Sequence, residues 1–163
     1  MAQEETILEE LRQQEEELQF PRFTNRMALD LGLKLIEMAK EEEGAVTIDI
    51  TRAGQQLFHY AFEGTTPDND QWIRRKTRVV TRFHKSSYRV GVQLAQQGLS
   101  IEDRYYVDAF EFTPHGGAFP ITVRGVGVIG TVAVSGLSQD RDHALVVRAL
   151  REYRESIEKP VDA

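Results

Sequence analysis

The chain has no cysteine among its 163 residues. That absence excludes a disulfide framework, a thiolate nucleophile and a cysteine-ligated metal centre. No apolar run approaches the ~20 residues that a helix needs to cross a bilayer. The start is rich in glutamate, unlike a secretory or transit signal, so a cytoplasmic protein with no membrane partner is expected. Positive charge is also in deficit. Lys and Arg number 20 against 26 Asp and Glu, a net charge of −6, which argues against nucleic acid as a partner. The four histidines, at 59, 84, 115 and 143, form no H-x-H or H-E-x-x-H spacing, so no metal site is expected. Position 133 is alanine, so Ser135 stands outside a G-x-S-x-G nucleophile elbow.

What is present suits one soluble domain large enough to bury a single core. Residues 4 to 18 hold seven glutamates and one arginine. Ile7, Leu8, Leu11 and Leu18 fall at helical spacing, so residues 1–20 are read as an amphipathic N-terminal extension closed by Pro21. Its apolar stripe is thin, which points to docking on another subunit. Residues 21–163 form the domain proper.

Thr24 can cap a helix over about 25–43, with Leu31, Leu35 and Met38 on one stripe and Leu29, Leu33 and Ile36 beside it. Val46, Ile48 and Ile50 alternate with polar residues in a strand. After a turn at Gly54, Leu57–Phe62 makes a second strand, bulky on both faces, with His59 read as a core residue. Thr66-Pro67 opens a third helix. Ser86 or Ser87 restarts it as far as Gly98, and Ser100 with Asp103 resembles a capping box for one more turn. A short strand is expected near Phe110–Phe112. Pro120–Arg124 and Val126–Ser135 read as two strands, and a last helix runs from about Ser138 to Ile157. This order predicts an α+β fold with an antiparallel sheet and helices packed on its faces.

Half of the 12 glycines fall between positions 116 and 136. Gly125, Gly127 and Gly130 match G-x-G-x-x-G literally. They run into Thr131–Val134, which reads as strand, so a tight hairpin replaces a dinucleotide site. His115-Gly116-Gly117 lies in a loop ahead of a strand. Successive loop amides there can cradle an anion or a planar ligand, and His115 can donate, accept or ligate iron; the plainer alternative is a turn with an exposed histidine.

From Trp72 to Arg89 there are seven basic residues and no acidic one. Most of that stripe reads as a solvated or salt-bridged helix face. Lys76 is different, because it shares a face with Trp72 and Phe83. It either snorkels past the Trp72 ring or meets an anion in a pocket walled by the His115-Gly116-Gly117 loop, and the second is expected. Asp140 and Asp142 are explained by the dipole of the last helix.

Gly116-Gly117-x-Phe119-Pro120-Ile121, the glycine hairpin with Gly130, Val134-Ser135-Gly136-Leu137 and Asp142-His143 resemble the haem-degrading domain family (HbpS/GlcG-like). Trp72-x-x-Arg75-Lys76 with Phe83 and Ser86-Ser87 resembles its cytoplasmic branch most. The resemblance covers about residues 20–157. It implies a profilin-like fold, a five-stranded antiparallel sheet with helices on both sides, and a homo-oligomer, a dimer or a larger ring. It also implies a small planar or anionic ligand, with haem as the cofactor class.

The expected site comprises His115, Gly116, Gly117, Phe119, Lys76 and Arg75. His115 would contact the ligand, the glycines would supply amides, and Arg75 and Lys76 would hold a carboxylate or phosphate. The rival expectation is a non-enzymatic assembly module in which the same motifs shape subunit contacts. Haem degradation is a third, for which nothing in the sequence supplies a redox partner.

Overall fold

A computed structural model describes residues 2–158; the end of the predicted domain, 159–163, lies outside the described residues. Helix starts follow local capping chemistry. Helix α2 (Asn25–Glu41) begins after Thr24, whose Oγ1 accepts the Met27 N–H at 3.1 Å. Helix α3 (Pro67–Phe83) begins after Thr66 with proline in its first turn. Helix α4 (Ser87–Gln97) is capped by Ser86 and ends at Gly98 in the left-handed conformation. Helix α5 (Ile101–Tyr105) is capped by Ser100, and helix α6 (Gln139–Glu158) closes the described chain.

The strands are β1 (Gln19–Phe20), β2 (Thr47–Arg52), β3 (Gln55–Ala61), β4 (Ala118–Val123) and β5 (Gly127–Ser135). They form one sheet in the order β1-β4-β5-β2-β3. The four longer strands pair antiparallel, as expected. The fifth strand is not where it was expected. Residues 108–112 turn, with Asp108 O accepting from the N–H groups of Glu111 and Phe112. The fifth strand is β1, which pairs parallel with β4 through Gln19–Thr122 and Phe20–Val123, so the sheet is mixed.

Alternation of side-chain size decides which helix covers which face. Ile48, Ile50, Phe119, Ile121, Val132 and Val134 point to the face covered by α2 and α6, where Leu31, Leu35, Val146 and Leu150 complete the main core. The opposite face presents small residues, Ala118 and Ala133, against Ile73 and Val80 of α3. Small side chains let α3 approach closely, and this fixes where its polar residues go.

Several expectations are corrected by burial. Leu29 and Leu33 of α2 are exposed, so its buried stripe is narrower than its composition suggests. Strand β3 is an edge strand with exposed His59 and Tyr60, covered on neither face as fully as its bulk implied. His59 is no core residue; its ring lies between Asp49 and Asp70, at 3.6 and 3.2 Å. Helix α1 (Ala2–Glu17) meets its own chain rather than requiring another subunit. Leu11 and Leu18 are buried, and Glu15 pairs with Arg89 of α4 at 2.8 Å.

Candidate functional site

The candidate site forms where β5 ends and α6 begins. Ser135-Gly136-Leu137 turns away from the sheet, and Asp142 gathers that turn. Its carboxylate accepts the Leu137 N–H at 2.9 Å and the Gly136 N–H at 3.4 Å. The same carboxylate meets Nζ of Lys76, 3.2 Å away. Lys76 reaches it from α3 because the sheet face beneath is built of small residues. A Cβ at position 117 would lie 2.7 Å from Nζ of Lys76 and 2.5 Å from the Val134 carbonyl. Gly117 also has φ +135, where an L side chain is strained. Glycine there clears the passage for the lysine.

Lys76 neither snorkels nor stands ready for an outside anion. It is 3% exposed and donates to both Asp142 and the Val134 carbonyl, at 3.2 Å each. Burial pulls its ammonium below the usual lysine range, and the Asp142 charge opposes that pull. Burial likewise pushes the Asp142 carboxyl up, against the opposing effect of Lys76 and the two turn amides. The two charges largely cancel each other.

One turn earlier on α3, the Trp72 ring stacks with His115, with centroids 5.4 Å apart and planes 19° from parallel. The guanidinium carbon of Arg75 lies 4.4 Å from the Trp72 centroid, a cation–π contact. Nε of Arg75 is buried with no hydrogen-bond partner among the described residues. Arg75 also fixes the loop, because its carbonyl accepts the Thr113 N–H at 3.2 Å. His115 is held below the ordinary histidine range, first by burial and then by the charges of Lys76 and Arg75. A neutral imidazole keeps a lone pair for a ligand or metal.

Trp72, Lys76, His115, Gly136 and Asp142 line one cleft of about 290 Å³, and Asn69 stands at its wall. The structure therefore brings Lys76 and His115 together and sets Arg75 against the Trp72 side of the same stack. It does not bring Gly116, Gly117 or Phe119 into the cleft lining. The Gly116 N–H already donates to Oε1 of Gln139 at 3.2 Å, and a Cβ there would come 2.2 Å from the Gln139 carbonyl. The two glycines permit close packing rather than forming an open amide cradle. Phe119 faces the main core at 1% exposure. Sequence reasoning left Trp72, Gly136 and Asp142 out of the site. Asp142 looked complete as a first-turn acid, and its partner lies 66 residues away. Among the described residues no three His, Asp or Glu side chains converge as a metal site, and no helix is long and apolar enough to cross a membrane.

The chain matches a UPF0303 protein of Streptomyces coelicolor at 53% identity over 144 residues, 88% of this chain and 91% of that one. The crystal structure of the Ybr137w protein superposes with a TM-score of 0.86 at 35% identity, covering 93% of this chain and 90% of that chain. The crystal structure of a PduOC:heme complex superposes with a TM-score of 0.67 at 16% identity, covering 79% of this chain and 93% of that chain, a likeness of fold alone. Residues 23–151 match the family described as haem degrading protein HbpS-like, and the chain belongs to that family.

Proposed function

We propose that this chain is a small-ligand-binding domain whose site is the Trp72–Lys76–His115 cleft. Its ligand is a planar or anionic molecule, with haem the class that the family points to. The observation that carries this reading is the stack of Trp72 on His115, with an arginine over the Trp72 ring whose Nε has no hydrogen-bond partner among the described residues. A flat ring can extend such a stack or, in the other orientation, lie across the edge of His115 where the neutral imidazole can ligate, and a guanidinium can meet a carboxylate. The HbpS-like family and the haem complex of the PduOC neighbour give further support.

The residues fit haem in part. An exposed His115 ring offers an iron ligand, and Arg75 offers a partner for a propionate. The cleft, about 290 Å³, stands at the low end of ligand pockets, which run to roughly 300–1,000 Å³. It can take the edge of a porphyrin and leaves the rest against the surface outside. Haem, when bound, would supply the redox chemistry; the chain's own residues supply orientation and charge.

The test is titration of purified protein with haemin, read in the Soret band. A coordinated spectrum saturating at one haem per chain is expected, and His115→Ala is expected to lose it. An unshifted free-haemin spectrum with the wild-type protein overturns the haem assignment. Adding a reductant to the complex and following loss of the Soret band distinguishes binding from haem degradation.

A second reading has its own observation. Lys76 is satisfied within the chain, and Gly116 and Gly117 are used in packing. That favours a non-enzymatic module in which the family motifs hold the α3–β5–α6 junction rigid.

A further inference from the structure

Strand β3 ends the sheet with an unprotected edge. Its seven residues include no lysine, arginine, aspartate, glutamate or proline, the residues that normally keep exposed edges from pairing. Its histidine is held by Asp49 and Asp70. Among the described residues no strand covers that edge. The helix above it is bare as well. Phe58 and Tyr60 pair with Ile50 and Ile48, so they point to the face that α2 covers. Gly32 lets α2 sit low on this strand, because a Cβ there would lie 2.4 Å from the Phe58 ring. The next residue, Leu33, is 52% exposed, and Leu29 and Tyr60 are exposed too. Apolar side chains on helix and strand, next to an uncharged edge, mark a surface with a partner.

We infer that this surface joins two copies of the chain about a two-fold axis, β3 against β3 and α2 against α2, both antiparallel. The geometry suits a second copy. Paired strands lie about 4.8 Å apart, and α2 packs on both β2 and β3, so its axis stands about 5 Å from such a two-fold. The two α2 helices are then about 10 Å apart, a helix-packing distance. The charges of α2 suit it too, in one register. With the axis near Leu31 and Gly32, Arg26 faces the partner's Glu37, twice by symmetry. Leu29 and Leu33 then meet the partner's Leu33 and the partner's Leu29. Arg26 is free to make that contact, since among the described residues only its Nε is engaged, with Asp30 of the same helix. Centring the contact on Leu33 would instead set Arg26 against the partner's Lys40. An extended peptide added to β3 would pair with the edge but leave Leu29 and Leu33 in water. None of these residues lines the Trp72–Lys76 cleft, so the inference is independent of the ligand proposed there.

The experiment is charge reversal in the full chain, read as particle mass by light scattering across micromolar concentrations. Arg26→Glu sets two pairs of like negative charges in the contact, and Glu37→Arg sets two pairs of like positive charges. Both positions are exposed, so circular dichroism is expected to show both variants folded. Each is expected to associate about tenfold or more weakly than the wild type, and its mass to fall to half or less. An equimolar mixture of the two is expected to regain the wild-type mass, because each chain then offers the charge that the other needs. Leu33→Lys, which puts charge into the apolar centre, is expected to lower the mass as well. A wild-type mass of 18.6 kDa would leave the edge to some other occupant and overturn the inference. A mass that none of the three variants lowers would place the contact between copies elsewhere and overturn it too. If Leu33→Lys lowers the mass but the charge variants do not, or if mixing them restores nothing, the antiparallel α2 register is wrong and the inference falls with it.

Discussion

Nζ of Lys76 and Oδ2 of Asp142 are 3.2 Å apart, and both side chains are nearly sealed from solvent. The pair joins α3 to the first turn of α6 across the end of β5. Removing one member of such a pair strands the other. Lys76→Met is therefore expected to cost roughly 3 kcal/mol, near the low end for breaking a buried pair, since the Gly136 and Leu137 amides still serve Asp142. Asp142→Leu is expected to cost more, because it orphans Lys76 and both amides. The double variant should cost clearly less than the sum of the singles. Urea unfolding of the four proteins measures this coupling, and additive costs would remove the pair from the account of stability.

Two positive-φ glycines are expected to respond very differently to alanine. At Gly117 the backbone has φ +135, and a Cβ would meet the Val134 carbonyl at 2.5 Å. At Gly125 φ is +77 and nothing lies within 4 Å of the same atom. Gly125→Ala should cost only conformational strain, about 1 kcal/mol. Gly117→Ala adds a collision with backbone and with Lys76, so it should cost about 3 kcal/mol or leave no soluble protein. Equal thermal midpoints for the two variants would show that the close packing around Gly117 is not needed.

Local chemistry explains what was legible beforehand. Thr24, Thr66, Ser86 and Ser100 each announce a helix within three residues of themselves, and each does cap one. The four long strands follow from alternation and β-branching. Strand β1 was hidden because two residues carry no period, and its pairing depends on Thr122 and Val123 far along the chain. Phe110 and Phe112 suggested a strand by composition, but no neighbouring edge reaches them. The site was half legible for the same reason. A lysine on an apolar helix face signalled burial, while nothing periodic links Lys76 to Asp142. The glycine pair signalled close approach without saying that Gln139, Val134 and Lys76, rather than a ligand, do the approaching.

The thin stripe of α1 points to assembly, but α1 buries Leu11 and Leu18 on its own chain. The case for a homo-oligomer moves to other surfaces. Among the described residues strand β3 ends the sheet with an unpaired edge, and such edges invite pairing with another chain. Tyr106 is 92% exposed and Val126 is 72% exposed. Light scattering at micromolar concentration is expected to give at least twice the 18.6 kDa chain mass. A monomer mass would leave those apolar surfaces to other partners and defeat the assembly reading.

The docking of α1 is expected to weaken in mild acid through His143. Its Nε2 lies 2.8 Å from Oε1 of Gln14 on α1, and its ring packs on Tyr88 at 4.9 Å. Burial pushes this histidine down to about 4 from an ordinary value of 6.5. The unfolded chain therefore binds a proton between those values that the folded chain refuses. The stability from keeping His143 neutral is fully present above pH 6.5 and is lost as pH falls toward 4. Between pH 7 and pH 5 the loss is about 2 kcal/mol. Glu15 and Asp142, whose carboxyls burial pushes up, act in the opposite sense and blunt the acid loss. Subtracting a variant removes their contribution. His143→Leu should be less stable at pH 7, for want of the Gln14 bond, yet its decline from pH 7 to pH 5 should be about 2 kcal/mol shallower than that of the wild type. Thermal unfolding of both proteins across this range provides the comparison. Parallel curves would mean that His143 does not titrate against folding, and that acid acts on α1 by another route.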